Sequence, residues 1–170
     1  MIGLKYLTIF FSIFLIPLLS SSGYAQNEVL REQNSLYGIS EFGVVVNVEK
    51  PGSLDKISIP VDSVRKLLLE ELSSLPVTIL EYETLQQSDQ LPILYLHINI
   101  IEGMAGTLSF TGQLMFYQPA KLPLNNDVRT MASTWHDSFI GVVTPDLADY
   151  ITSRSARLAS NFRIDYESVN

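Results

Sequence analysis

The chain of 170 residues has no cysteine. That excludes disulfides, thiol catalysis, cysteine-based zinc sites and a lipidated cysteine behind an export signal. Positive charge is also scarce: 11 lysines and arginines stand against 18 acidic side chains, for a formal net charge of -7 at pH 7. The densest basic set, Arg154, Arg157 and Arg163, has Asp165 and Glu167 beside it. No patch favours a phosphate backbone, so nucleic acid is not an expected partner. Catalytic signatures are missing too. There is no HExxH, no Gly-x-Ser-x-Gly elbow, and Gly103, Gly106 and Gly112 lack the Gly-Lys-Ser/Thr ending of a phosphate loop. No cofactor is expected. Gly112 instead suggests a bulge or a close backbone approach within a strand.

What is present begins with an export signal. Lys5 precedes an apolar run from Tyr6 to Leu19, and Ser20 to Gly23 lead to Gly23-Tyr24-Ala25, a small-x-small cleavage pattern. The run is shorter than the roughly 20 residues a bilayer span needs. Residues 1–25 therefore read as a cleavable secretory signal peptide, which places the product in the periplasm or outside the cell without a lipid anchor. If the signal were retained, residues 3–22 would tether the protein to a membrane. Residues 26–37 read as a flexible lead-in and 38–170 as a single domain, large enough to bury about 68% of its extended-chain surface.

Within that domain, periodicity marks the elements. Phe42, Val44, Val46 and Val48 alternate with less apolar positions, as in a strand with one buried face. Val61, Val64, Leu67, Leu68, Leu72 and Leu75 recur at helical spacing, and Pro76 stops that helix. Asp62 is spaced to pair with Arg65 or Lys66. A short strand over 77–82 follows, so strand, helix and strand could form a parallel crossover. Leu91 to Ile101 is apolar on both faces and predicts a central strand. Residues 107–118 and 130–143 predict a hairpin, joined by a loop over 119–127 with its turn at Asn125-Asn126-Asp127. Thr144-Pro145-Asp146 has the chemistry of a helix start. That final helix is expected to end near Phe162, with Arg163 to Asn170 as an extended or irregular tail. The expected fold is α+β: a two-layer sandwich, a mixed sheet of about five strands with two helices on one face.

One sheet face is then left open. Alternation assigns to it Asn47, Glu49, Tyr95, His97, Asn99, Thr111, Gln113, Met115, Tyr117, Thr134, His136 and Ser138, with Trp135 and Phe139 turned to the core. Tyrosine and methionine supply contact area and polar groups supply bonds, so Tyr95, His97, Gln113, Met115, Tyr117 and His136 form the candidate partner-binding set. An exported hydrolase or metal-dependent enzyme would instead use His97 and His136, with Glu49, Glu102 or Asp137 nearby. Asp137 points away from His136 in a regular strand. Glu81 and Glu83 share one strand face, where a solvated edge is expected in preference to a catalytic pair. A third reading is capture of an apolar small molecule between sheet and helices.

Gly43-Val44-Val45-Val46, Thr134-Trp135-His136 and Asp165-Tyr166-Glu167-Ser168-Val169-Asn170, together with the element order, resemble uncharacterised small exported bacterial proteins. Their α/β domain is similar to accessory domains of envelope assembly systems, such as the amino-terminal domain of TolB or the lipopolysaccharide-assembly lipoprotein. The resemblance implies a non-catalytic exported protein, a protein-binding or assembly-accessory module with an envelope protein as partner. The missing signal-adjacent cysteine departs from the lipoproteins.

Overall fold

A computed structural model describes residues 27–54, 59–103, 107–143 and 147–170. The expected signal peptide and the Thr144-Pro145-Asp146 helix start lie outside these residues. The described chain forms strands β1 (Glu41–Glu49), β2 (Thr78–Leu80), β3 (Ile93–Glu102), β4 (Leu108–Leu122) and β5 (Asn125–Val143). Its α-helices are α1 (27–35), α2 (Val61–Leu72), α3 (Tyr82–Leu85) and α4 (Leu147–Val169). The strands make one mixed sheet in the order β2-β1-β3-β4-β5. β1 runs parallel to both β2 and β3, and the remaining pairings are antiparallel.

The sheet therefore has β3 at its centre and α2 and α4 on one face, as the alternation of β1 and β3 required. On the helix-bearing side Phe42, Val44, Leu94, Leu96, Ile98, Phe110, Leu114 and Phe116 are buried. Helix α2 contributes Val64, Leu68 and Leu72 at three- and four-residue spacing. Helix α4 contributes Ile151, Leu158, Ala159, Phe162 and Tyr166. Phe162 is the hub of an aromatic cluster, with ring centroids 5.0 Å from Trp135, 5.7 Å from Phe42 and 5.6 Å from Phe116. The pairs with Trp135 and Phe42 are edge-to-face, a geometry that gains electrostatic energy beyond the buried area. Because β2 is so short, β1 has no strand partner on that edge beyond Gly43, and Arg65 Nε donates to the edge carbonyl of Val44 at 3.2 Å. This use of Arg65 leaves the α2 surface pair to Lys66 and Glu70, 3.7 Å apart, in place of the expected pair with Asp62.

Four expectations are corrected. The supposed flexible lead-in is helical over 27–35, and Leu36 behind it is fully buried. It is polar because it lies on the sheet edge and makes side-chain bonds: Ser35 Oγ donates to Thr134 O at 3.0 Å, and Gln33 Nε2 to Asp165 Oδ1 at 2.7 Å. The supposed tail is the last turns of α4, which continue to Val169 because Phe162, Tyr166 and Val169 extend the same stripe. The supposed loop 119–127 is strand, closed by a two-residue turn at Pro123-Leu124. Glu81 and Glu83 do not share a strand face: β2 ends at Leu80, Glu81 is the N-cap of α3, and Glu83 lies in its first turn.

The ends of α1 and α4 are clasped. Gly38, at φ 74°, takes the left-handed conformation that glycine adopts without penalty after a helix. Its N–H donates to Asn170 Oδ1 at 2.7 Å, Asn170 Nδ2 donates to Leu36 O at 3.0 Å, and Tyr166 Oη donates to Ile39 O at 2.6 Å.

Candidate functional site

The face opposite α2 and α4 is built by register. Val45 lies beside Tyr95, Tyr95 beside Met115 and Met115 beside His136, while Asn47, His97, Gln113 and Ser138 form the next row. Cross-strand neighbours share a face. Tyr95, His97, Gln113, Met115 and Tyr117 therefore form one continuous patch. Tyr95 stacks on His97 with ring centroids 6.0 Å apart and meets Tyr117 edge-on at 6.3 Å. Tyr117 Oη donates to Met115 Sδ at 3.4 Å.

Beside this patch lies a groove that alternation alone did not reveal. It has a volume of about 350 Å³ and is lined by Val45, Leu85, Ser88, Asp89, Leu91, Ile93, Tyr95, Tyr117 and Met131. Its outer wall comes from α3 and the segment after it. Leu85 lies directly over Gly43, where a side chain would occupy the space of its methyl groups. Glycine at this strand position lets the short helix cross the sheet face. The wall is apolar except at Ser88 and Asp89, both exposed. The cavity lies on the open face, and not between the sheet and its two long helices as the small-molecule reading placed it.

The bulge in β5 re-aims one expected residue. Register shifts between Phe116 and Tyr117, so Trp135 faces Phe116 while Ser133 faces Tyr117, and Thr134 is the extra residue. Thr134 Oγ1 accepts from Gln118 Nε2 at 2.8 Å, and Gln118 also donates to Ser35 O at 3.1 Å. Thr134 thus joins the α1 contact and leaves the open face. The same shift puts Met131, whose position sequence reading left unassigned, into the groove.

The two histidines do not converge. His97 is level with Gln113 and His136 with Met115, so two strand spacings of about 4.8 Å and a two-residue offset separate them. His97 has Asn47 Nδ2 and Tyr95 Oη each 3.5 Å from its Nδ1, and Glu49 Oε2 3.8 Å from its Nε2. His136 Nδ1 instead lies 2.8 Å from Glu32 Oε1 on α1. Asp137 turns to the other face, as expected, and accepts from Asn161 Nδ2 at 2.7 Å. Glu102 accepts from Ser53 Oγ at 2.7 Å. Among the described residues no group of three His, Cys, Asp or Glu side chains is arranged to hold a metal ion. No described helix is long and apolar enough to cross a membrane.

No protein-family model matches the sequence, and comparison with curated proteins finds no match. Among solved structures, a leucine-to-methionine variant of the PelC dodecamer from Paraburkholderia phytofirmans is similar, with a TM-score of 0.39 and 12% identity over 75% of this chain and 91% of that one. The PelC dodecamer from the same organism gives a TM-score of 0.33 and 14% identity over 75% and 88% of the two chains. A minor lipoprotein from Acinetobacter baumannii gives 0.26 and 7% over 75% and 91%. These are distant structural similarities, to PelC and to a bacterial lipoprotein.

Proposed function

We propose that this chain is a non-catalytic, exported envelope module that docks a segment of a partner polypeptide on the open face of its sheet. The observation that carries the reading is the apolar groove walled by Leu85, Leu91 and Ile93 and floored by Val45 and Tyr95, continuous with the Tyr95, His97, Gln113, Met115 and Tyr117 patch. Apolar walls supply affinity, and the tyrosine hydroxyls, the histidine and the glutamine beside them supply directional bonds. The export signal expected from residues 1–25 supports a partner in the periplasm or outside the cell.

The test is capture of an envelope polypeptide by immobilised protein. Saturable capture should be lost in Leu85→Asp and in the pair Tyr95→Ala with Tyr117→Ala, and retained in Lys66→Glu on the opposite layer. Equal capture by all four proteins would sink the reading. The groove's volume of about 350 Å³ also falls within the range of small-molecule pockets. That size favours an apolar small molecule as the second reading, which predicts that the purified protein releases such a compound on organic extraction.

A further inference from the structure

β4 pairs with β3 only as far as Tyr117 and Ile93, but with β5 as far as Leu122 and Asn125. Residues beyond Tyr117 therefore form a two-stranded arm that outruns the sheet. The side chains of Lys121, Leu122, Pro123, Leu124, Val128 and Arg129 at its end are all exposed, Leu124 fully so and Leu122 and Val128 by 43% and 39%. Two leucines around a two-residue turn make an apolar knob. Just behind the knob, Lys121 and Arg129 are cross-strand partners, with Asp127 the one acidic side chain on the tip.

This knob has a counterpart on the same molecule. The groove presents apolar walls of matching character, and its lining carries the exposed carboxylate of Asp89. In a chain with net charge -7, a basic collar around an apolar tip and an apolar groove edged by the Asp89 carboxylate are complementary in both respects. The arm cannot fill its own groove. Tyr117 and Met131, which line the groove, are the base of the arm, and five residues of strand carry Leu122 about 17 Å away from Tyr117. A tight turn at the end leaves no slack for return.

We propose that the polypeptide segment docked in the groove is the hairpin tip of a second copy of this chain, with Leu124 and Leu122 entering between Leu85, Leu91 and Tyr95 while Lys121 and Arg129 meet Asp89. This identifies the occupant of the groove assigned above and rests on that assignment. The contact is head-to-tail: the surface given by one copy differs from the surface offered by the other.

Sedimentation velocity of the full chain over a concentration series tests it. The wild type should self-associate, with affinity falling as salt rises. Leu124→Asp should weaken association more than tenfold without moving the unfolding midpoint, since Leu124 touches nothing in its own chain. Asp89→Lys should weaken it as well. Mixing Leu124→Asp with Leu85→Asp should restore heteroassociation, because the intact tip of one meets the intact groove of the other. Reversing the collar with Lys121→Glu and Arg129→Glu should rescue Asp89→Lys. A wild type that stays monomeric, association indifferent to Leu124→Asp, or Leu124-dependent binding to anionic phospholipid vesicles by a monomeric protein would each overturn the proposal. If self-association fails while Leu85→Asp still abolishes capture of another polypeptide, the groove reading stands and this inference alone falls.

Discussion

Trp135 Nε1 donates to Asp165 Oδ2 at 2.9 Å, and the other oxygen of the same carboxylate accepts from Gln33 Nε2 at 2.7 Å. One side chain of α4 thereby holds the edge strand β5 and the helix α1 together. Trp135 is 2% exposed, so its indole N–H has no water to turn to if the carboxylate is removed. Asp165→Ala is expected to cost about 1–3 kcal/mol. Asp165→Asn offers one acceptor oxygen where the carboxylate offers two, and should fall between wild type and alanine. Urea midpoints of the three proteins check the order.

Burial raises the ionisation of the Tyr166 phenol above its ordinary value of 10.0. The folded state therefore holds the proton more tightly than the unfolded state. The stability this contributes is fully present below pH 10 and is lost as pH rises from there through the folded value. Urea unfolding between about pH 8 and 11 should show wild type losing stability faster above pH 10 than Tyr166→Phe does. At neutral pH the phenylalanine variant should be weaker by roughly 1 kcal/mol or more, because Ile39 O loses its 2.6 Å donor.

Leu68 is fully buried between α2 and the sheet. Leu68→Ala removes the side chain from a packed interior and should cost about 2–5 kcal/mol, read as a fall in the denaturation midpoint with unchanged slope.

Gly43→Val separates groove from fold. The new side chain claims the space of the Leu85 methyl groups, so the Leu85 side chain must leave its place in the groove wall. Strand β1 itself accepts valine, as Val44 to Val46 beside it do. The expected result is loss of polypeptide capture with a midpoint drop of about 1–3 kcal/mol, the usual range for overpacking. Capture at the wild-type level would mean that Leu85 does not shape the binding surface.

The parts of this fold that were legible in the sequence are those where one period runs long enough to be read. Phe42 to Val48, Leu94 to Ile100 and Val64 to Leu72 assigned the core face, and the double-sided apolar character of Leu91 to Ile101 assigned β3 to the centre of the sheet. The α4 stripe was readable further than it was followed, since Phe162, Tyr166 and Val169 keep helical spacing. Three features had no local signal. The polar helix over 27–35 earns its place through bonds to residues about 100 to 130 positions away, which no window contains. The bulge at Thr134 is set by cross-strand pairing, and it decides that Met131 lines the groove while Thr134 does not. Leu85 stands beside the polar run Gln86 to Gln90, where a single apolar residue reads as an ordinary loop position. Its contact with Gly43 needed the two segments side by side.

The clasp between α1 and α4 also sets an order of events. Gln33 and Leu36 find their partners at Asp165 and Asn170, separations of 132 and 134 residues. A chain emerging from its amino terminus brings α1 out early and α4 only after the whole sheet has been made. Until then α1 has only its contacts with Gln118, Thr134 and His136 at the sheet edge, and a short polar helix alone is marginal in water. Docking of α1 is thus completed only by the last helix of the chain.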